Sequence, residues 1–247
     1  MKIALSIAAA VLLLSGAAGA AEIKVLSTQA TEEAYKELVP QFEKASGHKV
    51  TTVFTGTLDA LKRLSNGETY DLLIMARQQI DELSQSGKVV PGSRADIAKS
   101  GVGAAVGKGK PKPDISTVDA LKKTLLGAKS IGYSTGPSGI YVVSMFQKMG
   151  IADEIKSKLK QTPSGVFVGS IIANGEAEIG FQQVSELSFF PGIDYVGPIP
   201  AEVQLITVFS AGIPAGSKEA DAAKALVSFV KAPAAAAIFK KHALDPG

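Results

Sequence analysis

Three short stretches of this 247-residue chain concentrate hydroxyls and glycines and hold almost no acidic side chains. Ser27, Thr28 and Thr31 form the first; Thr55, Gly56 and Thr57 the second; Ser134, Thr135, Ser138 and Gly139 the third. Gln29 lies inside the first turn and Pro137 inside the third. These residue types suit the capture of an anion. Backbone N–H groups at a helix N-terminus are unpaired and lie at the positive end of the helix dipole. Hydroxyls add donors, and glycine lets the backbone come close. Each Ser or Thr also fits the ordinary role of capping its own helix. Gly136-Pro-Ser-Gly139 alone matches no nucleotide loop, lacking both the Walker lysine and a full dinucleotide fingerprint. The repetition of these stretches at three places favours one shared ligand.

Other side chains could join them. Arg77 follows an apolar run and could neutralise a dianion, whereas Lys62 and Arg63 suit a solvated helix face. Gln182 and Gln183 carry amide N–H donors suited to a carboxylate. If the bound molecule is turned over, a base must reach it and titrate near the working pH. Glu186 and Tyr141 are the catalytic candidates, with His48 placed at the far end of its strand. A carboxylate in an anion site costs binding unless it is protonated or turned away.

The elements that must position these groups read as alternating strands and helices. Glu22–Ser27 reads as a strand, a helix follows from Thr31 with a kink or break expected at Pro40, and His48–Phe54 alternates as a strand. Leu58–Leu64 forms a second helix, and the apolar run Tyr70–Met75 suits a central parallel strand. Later come helices at 117–126, 140–149 and 166–173, strands at 130–134, 179–182 and 203–210, and a helical tail interrupted at Pro233. Strands followed at once by helices make doubly wound α/β sheets, and ligands sit beyond the carboxyl ends of such strands. The three hydroxyl-rich turns fall there.

Composition removes other chemistries. Charges nearly cancel, 26 Lys+Arg against 23 Asp+Glu, which argues against a nucleic-acid partner. The absence of Cys removes disulfides, thiolate metal sites and cysteine nucleophiles, and two His leave little for a metal cage. No metal site or cofactor is expected. No nucleophile elbow, His-Glu-x-x-His or Ser-His-Asp set points to a hydrolase. Residues 1–20 read as a signal peptide: Lys2, an apolar stretch from Ile3 to Leu14, and small residues at Ala18 and Ala20. A periplasmic, monomeric protein is expected.

Val25-Leu-Ser-Thr-Gln-Ala30, Tyr70–Met75, Gly136-Pro-Ser-Gly-Ile-Tyr141, Gly175-Glu-Ala-Glu-Ile-Gly180 and the closing 232–239 stretch follow one another in a familiar order. In this the chain resembles the molybdate-type periplasmic solute-binding proteins over nearly its whole length. The resemblance implies two α/β lobes, each a mostly parallel sheet with helices on both faces, joined by two crossover hinge strands. It places lobe 1 at 22–103 plus 206–247 and lobe 2 at 104–205. It also implies a small anion in the cleft and an inner-membrane ABC permease as partner. Two positions depart: Ala30 stands where the family's first turn ends in serine, and Gln182-Gln183 near where it carries a tyrosine. Phe181–Leu187 and Val196–Gln204 are similar to a divergent branch, the periplasmic aconitate isomerases. The leading expectation is a receptor for a small multiply charged anion, oxyanion or di/tricarboxylate; the alternative is an isomerase of an unsaturated polycarboxylate.

Overall fold

The computed structural model describes residues 19–247. Apart from Gly19 and Ala20, the expected signal peptide lies outside the described residues.

The chain opens with β1 (Glu22–Thr28), α1 (Glu32–Ser46), β2 (Lys49–Thr55), α2 (Thr57–Ser65), β3 (Leu72–Ala76) and α3 (Arg77–Gln85). β1 pairs in parallel with β2 and β3, and every residue of β3 is buried, as a strand covered on both faces requires. α1 turns Ala34, Tyr35, Leu38 and Phe42 inward and stops at Gly47, whose φ of 75° glycine adopts without strain. The break expected at Pro40 does not occur. Pro40 faces solvent, so the carbonyl left without a helical donor can be hydrated and the helix runs on.

β4 (Ala95–Gly107) follows and is the longest strand described. Its first half pairs antiparallel with β9 (Ile206–Gly212) as far as Gly101; from Val102 it pairs with strands of the second half. One strand therefore runs from one half of the molecule into the other. The sequence reading contains no strand here, because an Ala- and Gly-rich segment has little β signal. Its glycines serve packing: a Cβ on Gly103 would meet the Tyr195 ring at 2.7 Å, and one on Gly101 the Gln204 amide at 3.2 Å.

The second half contains α4 (Val118–Gly127), β5 (Ile131–Tyr133), α5 (Pro137–Lys148), α6 (Ala152–Ile155), β6 (Leu159–Gln161), α7 (Val168–Ala173), β7 (Ile179–Gln183), α8 (Val184–Leu187) and β8 (Ile193–Pro198). β5 is parallel to β6 and β7. The chain returns through Gln204, whose amide accepts from Val102 N–H (2.7 Å) and donates to Val102 carbonyl (2.9 Å), tying the two crossing segments together. It closes with β9 (Ile206–Gly212), α9 (Ala220–Val230), α10 (Ala236–Lys241) and β10 (Asp245–Pro246), the last pairing with β4. The strand order is β2-β1-β3-β9-β4-β7-β5-β6.

Each half has a core on both faces of its sheet. In the first, Ile23, Val25, Leu38, Phe42 and Leu226 lie under α1, α9 and α10, and Leu26, Leu73, Met75 and Ile80 on the other face. In the second, Ile131, Phe146 and Phe181 pack together on one face, and Ala105, Val168 and Ile172 on the other. Two independently packed halves joined by a strand and a tied loop give a rigid frame on either side of a cleft.

Candidate functional site

β1, β2, β5, β6 and β7 end toward one another, and a cavity of about 40 Å3 lies between their ends. Register explains the convergence. Thr28 at the end of β1 pairs with Thr55 at the end of β2, and Tyr133 of β5 pairs with Gln161 of β6 and Phe181 of β7. The next residues in each chain segment must therefore emerge side by side.

Of the residues expected from sequence, Thr28, Gln29, Thr55, Gly56, Thr57, Ser134, Pro137, Ser138, Gln182, Gln183 and Glu186 line this cavity. All three hydroxyl-rich turns meet there. Thr28 is 6% exposed, and its Oγ1 is buried with no hydrogen-bond partner among the described residues. α2 begins beside it with Gly56 as N-cap, and α5 begins on the opposite wall with Gly136 as N-cap and Pro137 in its first turn. Neither cap residue has a side chain to occupy the helix's own N–H groups, which leaves those of Thr57 and Leu58 in α2 and of Ser138 and Gly139 in α5 without a cap. Among the described lining residues there is no Lys, Arg or His. The gripping groups are neutral donors.

Five of the expected residues, Ser27, Thr31, Arg77, Gly139 and Tyr141, stand elsewhere, while His48 keeps to the far end of its strand as its position implies. Ser27 is fully buried beneath the turn, with Oγ 3.1 Å from Thr31 Oγ1, and holds the turn's shape. Gly139 is packing space: a Cβ there would fall 1.7 Å from the Ser134 carbonyl oxygen. Arg77 stands outside the lining because the Asp96 carboxylate on β4 claims its guanidinium. Tyr141 donates its hydroxyl to the Val203 carbonyl (2.6 Å), fastening α5 to the returning chain. His48 accepts from the Ala21 N–H (3.1 Å) at the opposite end of β2.

The glutamine pair is also partly committed. Gln182 Oε1 accepts from Val168 N–H (2.8 Å), capping α7. Oriented by its neighbours, the Gln183 amide donates to the carbonyls of Ser100 (3.1 Å) and Gly101 (3.2 Å) and accepts from Thr207 Oγ1 (2.9 Å). That amide fastens β7 to the β4–β9 junction instead of presenting its N–H groups to a ligand.

Glu186 is the titratable side chain among the described lining residues. It is the third residue of α8, with Gln183 as N-cap, the position from which a glutamate reaches back to the cap N–H. Burial pushes its carboxyl up to about 8; the Gln183 backbone and the Gln182 side chain offset this only in part, and Glu32 adds to it. Near neutral pH the group is protonated and acts as one more donor.

Sequence reasoning missed Pro163, Gly165, Val166 and Phe209, which also line the cavity. A signal existed: Pro163-Ser-Gly165 repeats the Pro137-Ser-Gly139 triplet. With no strand expected before it, the second triplet had no place at a strand end. It forms the loop from β6 that reaches the first half, where Gln29 Nε2 donates to the Gly165 carbonyl (3.0 Å).

Two α/β halves whose strand ends converge on a cavity between them define the two-lobed periplasmic-binding fold. The chain belongs to the bacterial extracellular solute-binding protein family, whose profile matches residues 23–244. It is 36% identical over 230 residues to an aconitate isomerase from a Pseudomonas species, covering 91% of this chain and 87% of that one. It is 31% identical over 244 residues to the molybdate-binding protein ModA of Azotobacter vinelandii, covering 93% and 92%. The solved periplasmic molybdate-binding protein of the same organism superposes with a TM-score of 0.75 at 23% identity, over 90% of this chain and 98% of that one.

Proposed function

We propose that this protein is exported to the periplasm and encloses a small, multiply charged anion between its lobes for delivery to an ABC permease. The observation that carries this reading is the buried Thr28 hydroxyl, left without a partner beside the start of α2. A buried polar group of that kind costs about 1–3 kcal/mol unless something bonds to it, and an anion accepts from hydroxyl and helix N–H alike. The lobes we assign are 22–103 with 206–247, and 104–205; the change of partner along β4 between Gly101 and Val102 supports that division. With the lobes as they stand, the cavity is far smaller than the ~150 Å3 that holds a benzene ring. A tetrahedral oxyanion or one carboxylate head suits it, and a tricarboxylate requires the lobes to part further.

A second reading is favoured by Glu186, a proton-bearing carboxyl where the ligand would lie, and by the aconitate isomerase among the relatives. In its ionised form it would take a proton from a methylene carbon of an unsaturated polycarboxylate. The double bond would shift by one position, and the same carboxyl would return the proton to the far vinyl carbon. No net redox change or second substrate is needed.

Calorimetry with molybdate, tungstate, sulfate, citrate and both aconitate isomers tests capture, and binding of none of them overturns it. NMR of the protein incubated with trans-aconitate tests turnover. Appearance of the cis isomer establishes it; an unchanged spectrum at saturating protein excludes it for this substrate.

A further inference from the structure

α2 lacks a cap of its own. Gly56 gives its carbonyl to the Ala60 N–H (2.9 Å) but has no side chain for the N–H of Asp59, the third residue of the helix. That N–H is the donor a Ser or Thr at the N-cap would satisfy. Here it donates to Ser164 Oγ at 3.3 Å, a residue 105 positions away on the loop that crosses from the other lobe. The fit is steric as well as polar. A Cβ on Gly56 would lie 2.4 Å from Ser164 Oγ and 2.4 Å from the Gly165 nitrogen, so the incoming hydroxyl fills the space a native cap would use. Gly165, with φ at 78°, turns its carbonyl to Gln29 Nε2 beside this contact.

We propose that Ser164 is a positioning residue of the cleft: it caps α2 from the opposite lobe when the cleft shuts, and position 56 is glycine to admit it. With the Asp59 N–H taken, the N–H groups of Thr57 and Leu58 remain for the ligand, held in a fixed direction. Closure and completion of the donor set thus become one event. An open cleft leaves α2 uncapped and its donors less ordered. The consequence for ligand affinity rests on the anion-capture reading, whereas the capping contact is a property of the chain alone.

The test uses the full ligand-free protein and amide hydrogen exchange by NMR. In Ser164→Ala the Asp59 amide should exchange roughly fivefold faster or more, the usual effect of losing a cap, with Leu61 to Leu64 unchanged. Ser164→Thr, which keeps the hydroxyl, should restore protection. The native chain has no Cys, so nitroxides on Lys62→Cys and Lys160→Cys report the opening of the cleft without background labelling. Gly56→Ala should lengthen that distance while circular dichroism stays native. Equal Asp59 exchange in the native protein and Ser164→Ala, or an unchanged distance in Gly56→Ala, overturns the proposal. If none of the anions binds but Asp59 protection still depends on Ser164, the capture reading fails and this one stands. If anions bind and Asp59 ignores Ser164, the reverse holds.

Discussion

On the first-lobe wall of the cleft, Thr28 keeps its hydroxyl uncommitted and Gly56 leaves the N–H groups of Thr57 and Leu58 without a cap. On the second-lobe wall, similar polar residues are largely spent on other protein groups. Ser134 Oγ accepts from the Gly136 N–H and sits 3.4 Å from Ser138 Oγ, Gln182 caps α7, and Gln183 clamps β7 to the crossing strands. The second lobe adds instead a protonatable carboxyl and a loop that reaches over. Residue type therefore does not decide whether a polar group serves the ligand. What decides is whether the local backbone has already claimed it. On the readings proposed above, the free hydroxyl marks the wall that would grip the ligand, and the carboxyl the wall that would carry the proton.

The sharpest way to break this division is Glu186→Gln. If the second lobe carries proton chemistry, the variant should lose isomerisation by about 10²–10⁴-fold, the usual worth of a general base, while still binding substrate. Residual turnover near the native rate would remove Glu186 from that role. Thr28→Val tests the other wall. A hydrogen bond to a charged partner contributes about 1.5–3 kcal/mol, so anion affinity should fall roughly 10- to 100-fold by calorimetry. The fold should hold or gain slightly in thermal stability, because an unpartnered buried hydroxyl is removed.

The carboxyl also makes the comparison pH-dependent. Glu186 in its protonated form donates to an anion; ionised, it repels one. Affinity should be flat below about pH 7 and decline by up to tenfold per unit above pH 8, and the Gln variant should show no such decline. Stability carries the same sign. Between its ordinary value near 4.5 and about 8, the folded protein holds a proton that the unfolded chain releases. Raising the pH through that window therefore lowers the unfolding free energy from this group, and Glu186→Gln should flatten that part of the denaturation profile.

Much of this architecture is legible in the sequence, and the exceptions have physical causes. The strand-to-helix turns at Thr28, Thr55 and Ser134 are visible because short connections after apolar runs leave few alternatives. β4 is invisible to pattern reading because its glycines answer to Tyr195 and Gln204, more than ninety residues away in sequence. The Pro163–Val166 loop is missed for a related reason: β6 is three residues long, two of them exposed, and carries no apolar signature. Arg77 shows the limit of position as an argument. A strand's carboxyl end says which rim a residue occupies, but not on which side the following helix leaves it.

That limit yields the smallest expected effect. Arg77 would matter if the first lobe neutralised its ligand with charge, and the structure gives it another task. It pairs with Asp96, which also takes the Ser210 hydroxyl (2.6 Å) and the Arg94 guanidinium (3.4 Å). Removing Arg77 leaves Asp96 with two partners, and the Arg77 side chain is 44% exposed, so solvent screens much of what the pair contributes. Arg77→Ala should therefore change stability by about 1 kcal/mol or less and leave anion affinity within about twofold, measured by denaturant titration and calorimetry. A loss comparable to that of Thr28→Val would mean that cationic charge reaches the cleft after all. The contrast between a wall of neutral donors and a wall bearing the proton would then have to be redrawn.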